Sequence, residues 1–278
     1  MKHLIAALGA CLLAMPAAAQ QAPDIELWRL DCGTIELSDA APFSDAHLYD
    51  GEQRTLTDSC YLIRNGEQYL LWDAGLPAML KGTSNTQGVF TVSVTETIED
   101  QLAKLGLEAS DITFAGISHY HFDHIGQLPT FGSATLLINK NDWDFVTSQP
   151  ETSEIVNTAF FSAWQGENAG KVDAFPGDKD VFGDGSVVIK GMPGHTPGHS
   201  SLLVRLPDTG NVMLTGDLYH FEEQITNRGV PQFNTNRADT LASFERFNAT
   251  VKALEATVVI QHDPRHISRL PAFPESAK

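Results

Sequence analysis

Apolar residues occur along the chain in short blocks, separated by turns that contain glycine, aspartate or asparagine. Short blocks rich in β-branched and aromatic side chains predict buried strands. Asn65 and Gly66 lie between two such blocks, and this pair predicts a hairpin with a type I′ turn. The predicted strands are residues 25–30, 61–63, 69–72, 112–117, 136–138, 187–189, 202–204, 212–214 and 258–260.

Helical periodicity is clear in the stretch that precedes the fourth block. Ile98, Leu102 and Leu105 recur at the spacing of one helix face. Thr95 is predicted to cap the start of this helix, and Gly106 is predicted to close it.

The rest of the pattern predicts a helix that contains Trp143 and Phe145 and an amphipathic helix from about Asp239 to Leu254. The apolar segment 153–164 has two interpretations, either a helix packed by its apolar face or a wall over a binding site. Because strands in hairpins are interrupted by only a few helices, we predict an α+β sandwich in a single domain, residues 20–278.

The first 19 residues have the pattern of a secretory signal peptide. Lys2 precedes an apolar run, residues 4–15, and Ala17 to Ala19 form a small-residue cleavage site. The apolar run is too short to span a membrane, so no membrane insertion is expected. The sequence therefore predicts a periplasmic or secreted protein.

The charge of the chain narrows its possible partners. The formal net charge is -17, and such an acidic surface repels phosphate backbones, which argues against nucleic-acid binding. The chain contains three cysteines, of which Cys11 would leave with the signal peptide. Cys32 and Cys60 remain in a compartment that permits disulfides, and the sequence leaves their pairing open.

Three imidazoles and a carboxylate follow the predicted strand 112–117 in the motif His119-Tyr120-His121-Phe122-Asp123-His124. So many polar groups at the end of a buried strand would be desolvated at high cost unless a metal ion bound them. His195, Asp217 and His262 also follow predicted strands, where binding sites are commonly assembled. We therefore predict a metal site at the motif, with His195, Asp217 and His262 as possible further ligands.

This motif resembles that of the metallo-β-lactamase superfamily, which implies an αββα sandwich. By this resemblance, His119, His121 and His195 would bind one divalent metal ion, and Asp123, His124 and His262 a second. Asp217 would bridge the two. Imidazole and carboxylate ligands favour zinc, with iron, manganese or cobalt as alternatives. A hydroxide between bridged ions is the expected nucleophile.

Residues 194–199 (Gly-His-Thr-Pro-Gly-His) and 215–218 (Thr-Gly-Asp-Leu) are most similar to the N-acyl homoserine lactonases. That resemblance implies hydrolysis of a lactone ring, with Asp123 passing a proton to the leaving oxygen. Those enzymes have a tyrosine three residues after the bridging aspartate. Here His220 occupies that position and Tyr219 precedes it, so both are candidates for contacting the substrate, with His220 favoured.

The sequence predicts a class of substrate and leaves two alternative functions. The ligand is expected to be a small-molecule lactone or ester, and a homodimer is left open. The alternatives are a phosphotriesterase or arylesterase similar to methyl-parathion hydrolase, and a di-iron redox enzyme on the same scaffold. The residues expected to contact the acyl chain are Phe90, Phe160, Phe161 and Trp164.

Overall fold

Two β-sheets face each other across a layer of apolar side chains. The computed structural model describes residues 24–150, 153, 156–167 and 169–278, and within these residues the larger sheet has eight strands and the smaller sheet five. The larger sheet, in the order β4-β5-β1-β2-β3-β6-β7-β8, contains β1 (Ile25–Leu37), β2 (Arg54–Asn65), β3 (Gln68–Trp72), β4 (Ser84–Gln87), β5 (Phe90–Ser93), β6 (Phe114–Gly116), β7 (Thr135–Asn139) and β8 (Val172–Phe175). The smaller sheet, in the order β13-β12-β11-β10-β9, contains β9 (Lys179–Asp180), β10 (Val187–Gly191), β11 (Ser200–Leu206), β12 (Gly210–Leu214) and β13 (Thr257–Val259).

Helices cover the outer face of each sheet. Strand β1 shows how this happens, because Ile25 and Leu27 pack between the sheets while Trp28 and Leu30 pack on the opposite side. The resulting order of layers is helix, sheet, sheet, helix, which confirms the predicted α+β sandwich of αββα type. The α-helices are α1 (Ile98–Lys104), α2 (Phe122–Ile125), α3 (Lys140–Ser148), α4 (Glu222–Asn227) and α5 (Arg237–Leu254).

Two local predictions were wrong by one or two residues. In the first hairpin Asn65 still pairs with Gln68, so the loop is Gly66-Glu67. Gly66 has a φ of +59°, whereas Glu67 is not among the residues of positive φ, so the type I′ requirement is not met. Thr97, and not Thr95, caps α1, because its side chain accepts the Asp100 amide while the Asp100 carboxylate accepts the Thr97 amide.

The apolar segment before β8 is packed into the core. Its described part contains a 3-10 helix, Thr158–Trp164, in which Phe161 and Trp164 are buried on the outer face of the larger sheet. The Trp164 indole donates to the carbonyl of Ala134 over 3.0 Å, and Phe160 packs against the same cluster. The expectation that Phe161 and Trp164 contact an acyl chain is therefore wrong, since both are buried in the core, and Phe160 is half-buried against the same cluster.

Cys32 and Cys60 form a disulfide that links β1 to β2, with Cα atoms 5.8 Å apart. The predicted signal peptide, residues 1–19, lies outside the described residues. Among the residues that are described, no helix combines the length and the apolar character needed to cross a membrane.

Candidate metal centre

The seven predicted ligands converge on one place. Within the described part of the chain, two groups have ligand atoms within 4.8 Å of one another, and Asp217 belongs to both. Each residue follows a strand or lies in α2, so the rigid sheets fix its position. The first group is His119, His121, His195 and Asp217, and the second is Asp123, His124, Asp217 and His262.

His195 lies at the centre of the first group. Its Nε2 is 3.0 Å from His119 Nε2, 2.9 Å from His121 Nδ1 and 3.3 Å from Asp217 Oδ2. Its Nδ1 lies 2.8 Å from the side-chain oxygen of Asn234 and therefore donates to it. In a neutral imidazole, Nε2 must then be the unprotonated nitrogen, directed at its two histidine neighbours.

In the second group, too, the histidines donate from Nδ1 and direct Nε2 at the other ligands. His262 Nδ1 donates to the carbonyl of Thr57 over 2.9 Å, and His124 Nδ1 lies 3.0 Å from Asp73 Oδ2. The Nε2 atoms of His262 and His124 then present their lone pairs to each other across 3.4 Å. Asp217 Oδ1 lies 2.9 Å from His262 Nε2 and 3.1 Å from His124 Nε2. Asp123 Oδ2 completes the group at 3.9 Å from either Nε2.

Lone pairs and carboxylate oxygens that face each other need a positive charge between them. Burial alone lowers the pKa of His262, but the Asp217 and Asp123 carboxylates outweigh burial and raise it to about 9. The pKa of His119, by contrast, is well below its ordinary value because of burial and the neighbouring imidazoles. At neutral pH His262 of the second group would therefore hold a proton and His119 of the first group would not. A divalent cation in each group would satisfy both, and a donor set of imidazole and carboxylate suits zinc and similar metals.

Three side chains that the sequence analysis did not assign support the ligands. Asp73 bonds His124, and Asn234 bonds His195. Asp142 is buried in α3 and accepts the Gly198 amide over 2.6 Å and the Thr196 hydroxyl over 2.7 Å, which fixes the loop carrying His195. Burial raises the pKa of Asp142 to about 7. Asp73 could have been noticed from the polar turn that ends its strand, whereas Asp142 and Asn234 have no local signal.

The structure separates the two candidates for substrate contact. His220 lines the cavity above the metal groups, and its Nε2 is 3.1 Å from Asp217 Oδ2. Tyr219 points the opposite way and stacks on Phe244 with ring centroids 4.5 Å apart, beneath α5. Tyr219 is therefore corrected from a catalytic candidate to a core residue, because adjacent residues of the chain face opposite sides here.

A cavity of about 270 Å³ lies over the two groups, and an apolar groove of about 610 Å³ adjoins it. The two spaces share Phe90 and Phe122 in their walls. The other residues that line the cavity are Ile35, Phe43, Leu56, His121, Asp123, Asp217, His220, Phe233 and His262. The other residues that line the groove are Pro77, Met79, Leu80, Asn85, Gln87, Gly88, Val89 and Val92.

A sandwich of this kind with two adjoining groups of imidazole and carboxylate ligands is that of a metal-dependent hydrolase. The model of the metallo-β-lactamase superfamily matches residues 56–262. The chain belongs to this superfamily.

Relatives within the superfamily are named lactonases. The chain is 30% identical over 181 residues to N-acyl homoserine lactonase AttM of Rhizobium radiobacter, an alignment that covers 63% of this chain and 67% of the relative. It is 26% identical over 241 residues to N-acyl homoserine lactonase AiiA of Bacillus thuringiensis subsp. kurstaki, covering 82% of this chain and 90% of the relative.

Solved structures of lactone hydrolases have a similar fold. An N-acyl homoserine lactone hydrolase with N-hexanoyl-L-homoserine at its catalytic metal centre has a TM-score of 0.74 and 25% identity, covering 90% of this chain and 98% of its own. The dizinc quorum-quenching lactonase AidC has a TM-score of 0.67 at 19% identity, covering 91% of this chain and 90% of its own, and shows the fold alone.

Proposed function

We propose that the protein hydrolyses the lactone ring of N-acyl homoserine lactones with the help of two divalent cations, for which zinc is the expected metal. The observation that carries this proposal is the shared carboxylate of Asp217. Its Oδ2 faces His195 of the first group at 3.3 Å, and its Oδ1 faces His262 of the second at 2.9 Å. The similarity to AttM and AiiA supports the lactone as substrate.

Cations held by the two groups would lower the pKa of water to give a nucleophile and would polarise the lactone carbonyl. The residues of the chain have complementary tasks. His220 Nε2 faces Asp217 Oδ2 and therefore carries its proton. With the Asp217 carboxylate engaged by the cations, this N–H would be available, and we assign it to the substrate carbonyl. Asp123 lies at the cavity wall and is assigned to pass a proton to the leaving ring oxygen.

The acyl chain is proposed to lie in the apolar groove beside the cavity. Phe90 and Phe122 form the shared wall, so a chain attached to a lactone over the metal groups would pass between them. Beyond them, Met79, Leu80 and Val89 offer apolar surface that a long chain would cover. Of the residues that the sequence suggested for this contact, the proposal keeps Phe90.

Export is part of the proposal. The disulfide between Cys32 and Cys60 fits an oxidising compartment, which supports a periplasmic or secreted location directed by residues 1–19.

Hydrolysis assays test the function directly. Zinc-loaded protein is incubated with hexanoyl- and dodecanoyl-homoserine lactone, and in parallel with paraoxon and an aryl ester. Efficient ring opening that is lost on chelation would support the proposal. Inert lactones with rapid phosphotriester or ester cleavage would replace it with the methyl-parathion-hydrolase-like alternative, which the lactonase relatives do not favour.

Replacing Met79 by aspartate is expected to reduce kcat/KM for dodecanoyl-homoserine lactone by about tenfold and to leave the hexanoyl substrate nearly unchanged. Each buried methylene contributes about 0.8 kcal/mol, or roughly fourfold in kcat/KM, and a charge in the groove removes part of this gain. Met79 is 84% exposed, so its substitution should not affect folding. The measurement is kcat/KM across acyl chains of increasing length, with Met79→Leu as the matched apolar control. Equal losses on short and long chains would contradict the placement of the chain.

Replacing His220 by alanine is expected to reduce kcat by about 100-fold, because a donor to the developing oxyanion is lost. Replacing Tyr219 by phenylalanine should leave kcat nearly unchanged, since Tyr219 packs beneath α5. Steady-state kinetics and metal content of both variants provide the comparison. A large loss of kcat for Tyr219→Phe with full metal content would reverse the assignment.

A further inference from the structure

The disulfide lies at an irregular point of the larger sheet. Asp31 pairs with Ser59 and Gly33 pairs with Asp58, so Cys32 is an extra residue that forms a bulge in β1. Cys32 and Cys60 are both fully buried. Hence the bridge faces the interior, where it contacts another segment of the chain.

That segment is the turn from Asp73 to Leu76, which follows β3. A Cβ placed on Gly75 would be only 2.4 Å from Cys32 Cβ and 3.0 Å from Cys32 Sγ, and Gly75 has a φ of +56°. The Leu76 amide lies 3.3 Å from the Cys32 carbonyl and 2.9 Å from Asp58 Oδ2. The turn therefore rests directly on the disulfide, and glycine is needed for this approach.

The same turn holds the second metal group. Asp73 Oδ2 lies 3.0 Å from His124 Nδ1, and the Ala74 amide donates to the His124 carbonyl over 2.7 Å. The Gly126 amide donates to the Gly75 carbonyl over 2.7 Å, which fixes the end of α2. Helix α2 supplies both Asp123 and His124 to the group. Asp73 Oδ1 also accepts the Ser118 amide over 2.6 Å, next to His119 of the first group. His195 of that group is bonded instead by Asn234, from a distant loop.

We propose that the Cys32–Cys60 disulfide is a positioning element for the second metal group, acting through the turn Asp73–Leu76 on His124. This inference rests on the proposed binding of two cations. Partners that orient a metal-bound histidine typically change metal affinity by about 10- to 100-fold when they are removed. Loss of the bridge should therefore weaken binding of the second cation by about that factor. Binding of the first cation should weaken less, because Asp73 reaches that group only through the Ser118 amide and bonds none of its ligands.

The experiment titrates metal-free full-length mature protein with Zn²⁺ in a competing chelator and determines both dissociation constants. The double variant Cys32→Ala/Cys60→Ala is compared with wild type and with Leu206→Ala, which removes a buried side chain from the far end of β11 and controls for lost thermal stability. We expect two ions in wild type and in Leu206→Ala, and one tight and one weakened ion in the double variant.

A second variant covers the case in which the double variant does not fold. Gly75→Ala keeps the disulfide but forces the turn away from Cys32, so it should weaken the second ion in the same way. Unchanged second-ion affinity in either variant, or equal weakening of both ions, would overturn the proposal. Wild-type protein that binds fewer than two ions would refute the two-cation part of the proposed function. That result differs from those that would refute the role of the disulfide.

Discussion

Replacing His195 by alanine is expected to remove one cation per chain and to lower kcat/KM by at least about 1,000-fold. His195 Nε2 lies 3.0 Å from His119 Nε2 and 2.9 Å from His121 Nδ1, so it would complete the first group of ligands. A bound cation contributes several kcal/mol to the transition state of a hydrolysis, and each 1.36 kcal/mol is tenfold in rate.

The measurement combines metal content per chain with lactone hydrolysis at saturating zinc. His47→Ala is the control for loss of a histidine, because His47 lies on the surface and pairs with Asp50. Full metal content and full activity in His195→Ala would show that the ligand assignment is wrong. His47→Ala is expected to keep both ions and full activity, so that the loss in His195→Ala can be attributed to the metal centre.

Removing the cations by chelation is expected to make folding stability fall steeply between pH 6.5 and 9. In the metal-free protein a proton on His262 replaces the cation, and the Asp217 and Asp123 carboxylates outweigh burial to raise its pKa from 6.5 to about 9. A raised pKa of a histidine stabilises the fold fully below pH 6.5, and this contribution is lost as the pH rises through 9. The difference amounts to roughly 3 kcal/mol for His262 alone, and His124 acts in the same direction.

Urea unfolding of the metal-free and the zinc-loaded protein at pH 6, 7.5 and 9 measures this effect. The zinc-loaded protein should lose much less stability over that range, because the cation supplies the positive charge without a proton. His262→Gln, which cannot take up the proton, should reduce the pH dependence of the metal-free protein and leave the part that His124 contributes. A metal-free wild-type protein that is equally stable at pH 6 and pH 9 would contradict the electrostatic account of the second group.

The metal groups were predictable because their residues carry strong local signals. His119, His121, Asp123 and His124 lie within six positions, and His195, Asp217 and His262 each end an apolar block. A polar residue at the end of a buried strand is informative, since its position in space follows from the sheet. The apolar blocks predicted an α+β sandwich, and the order of its layers was implied by the resemblance of the motif to that of the superfamily.

The errors arose where distant packing decides the outcome. Asp142 and Asn234 act on loops more than 35 positions away in the chain, so their neighbours in sequence give no hint of the contact. Phe161 and Trp164 have the composition of a ligand wall, but the outer face of the larger sheet is available to cover them. The hairpin turn moved by one position because backbone pairing of Asn65 with Gln68 prevailed over the local preference of asparagine for a turn.

Each sheet is built from one continuous half of the chain. The larger sheet uses strands from Ile25 to Phe175, and the smaller sheet uses strands from Lys179 to Val259. The motif in residues 119–124 belongs to the first half, whereas His195, Asp217 and His262 belong to the second. Each group takes ligands from both halves, so bound cations would link the two halves of the chain. Two fragments produced by cleavage near Gly177 are therefore expected to reassociate more readily in the presence of zinc.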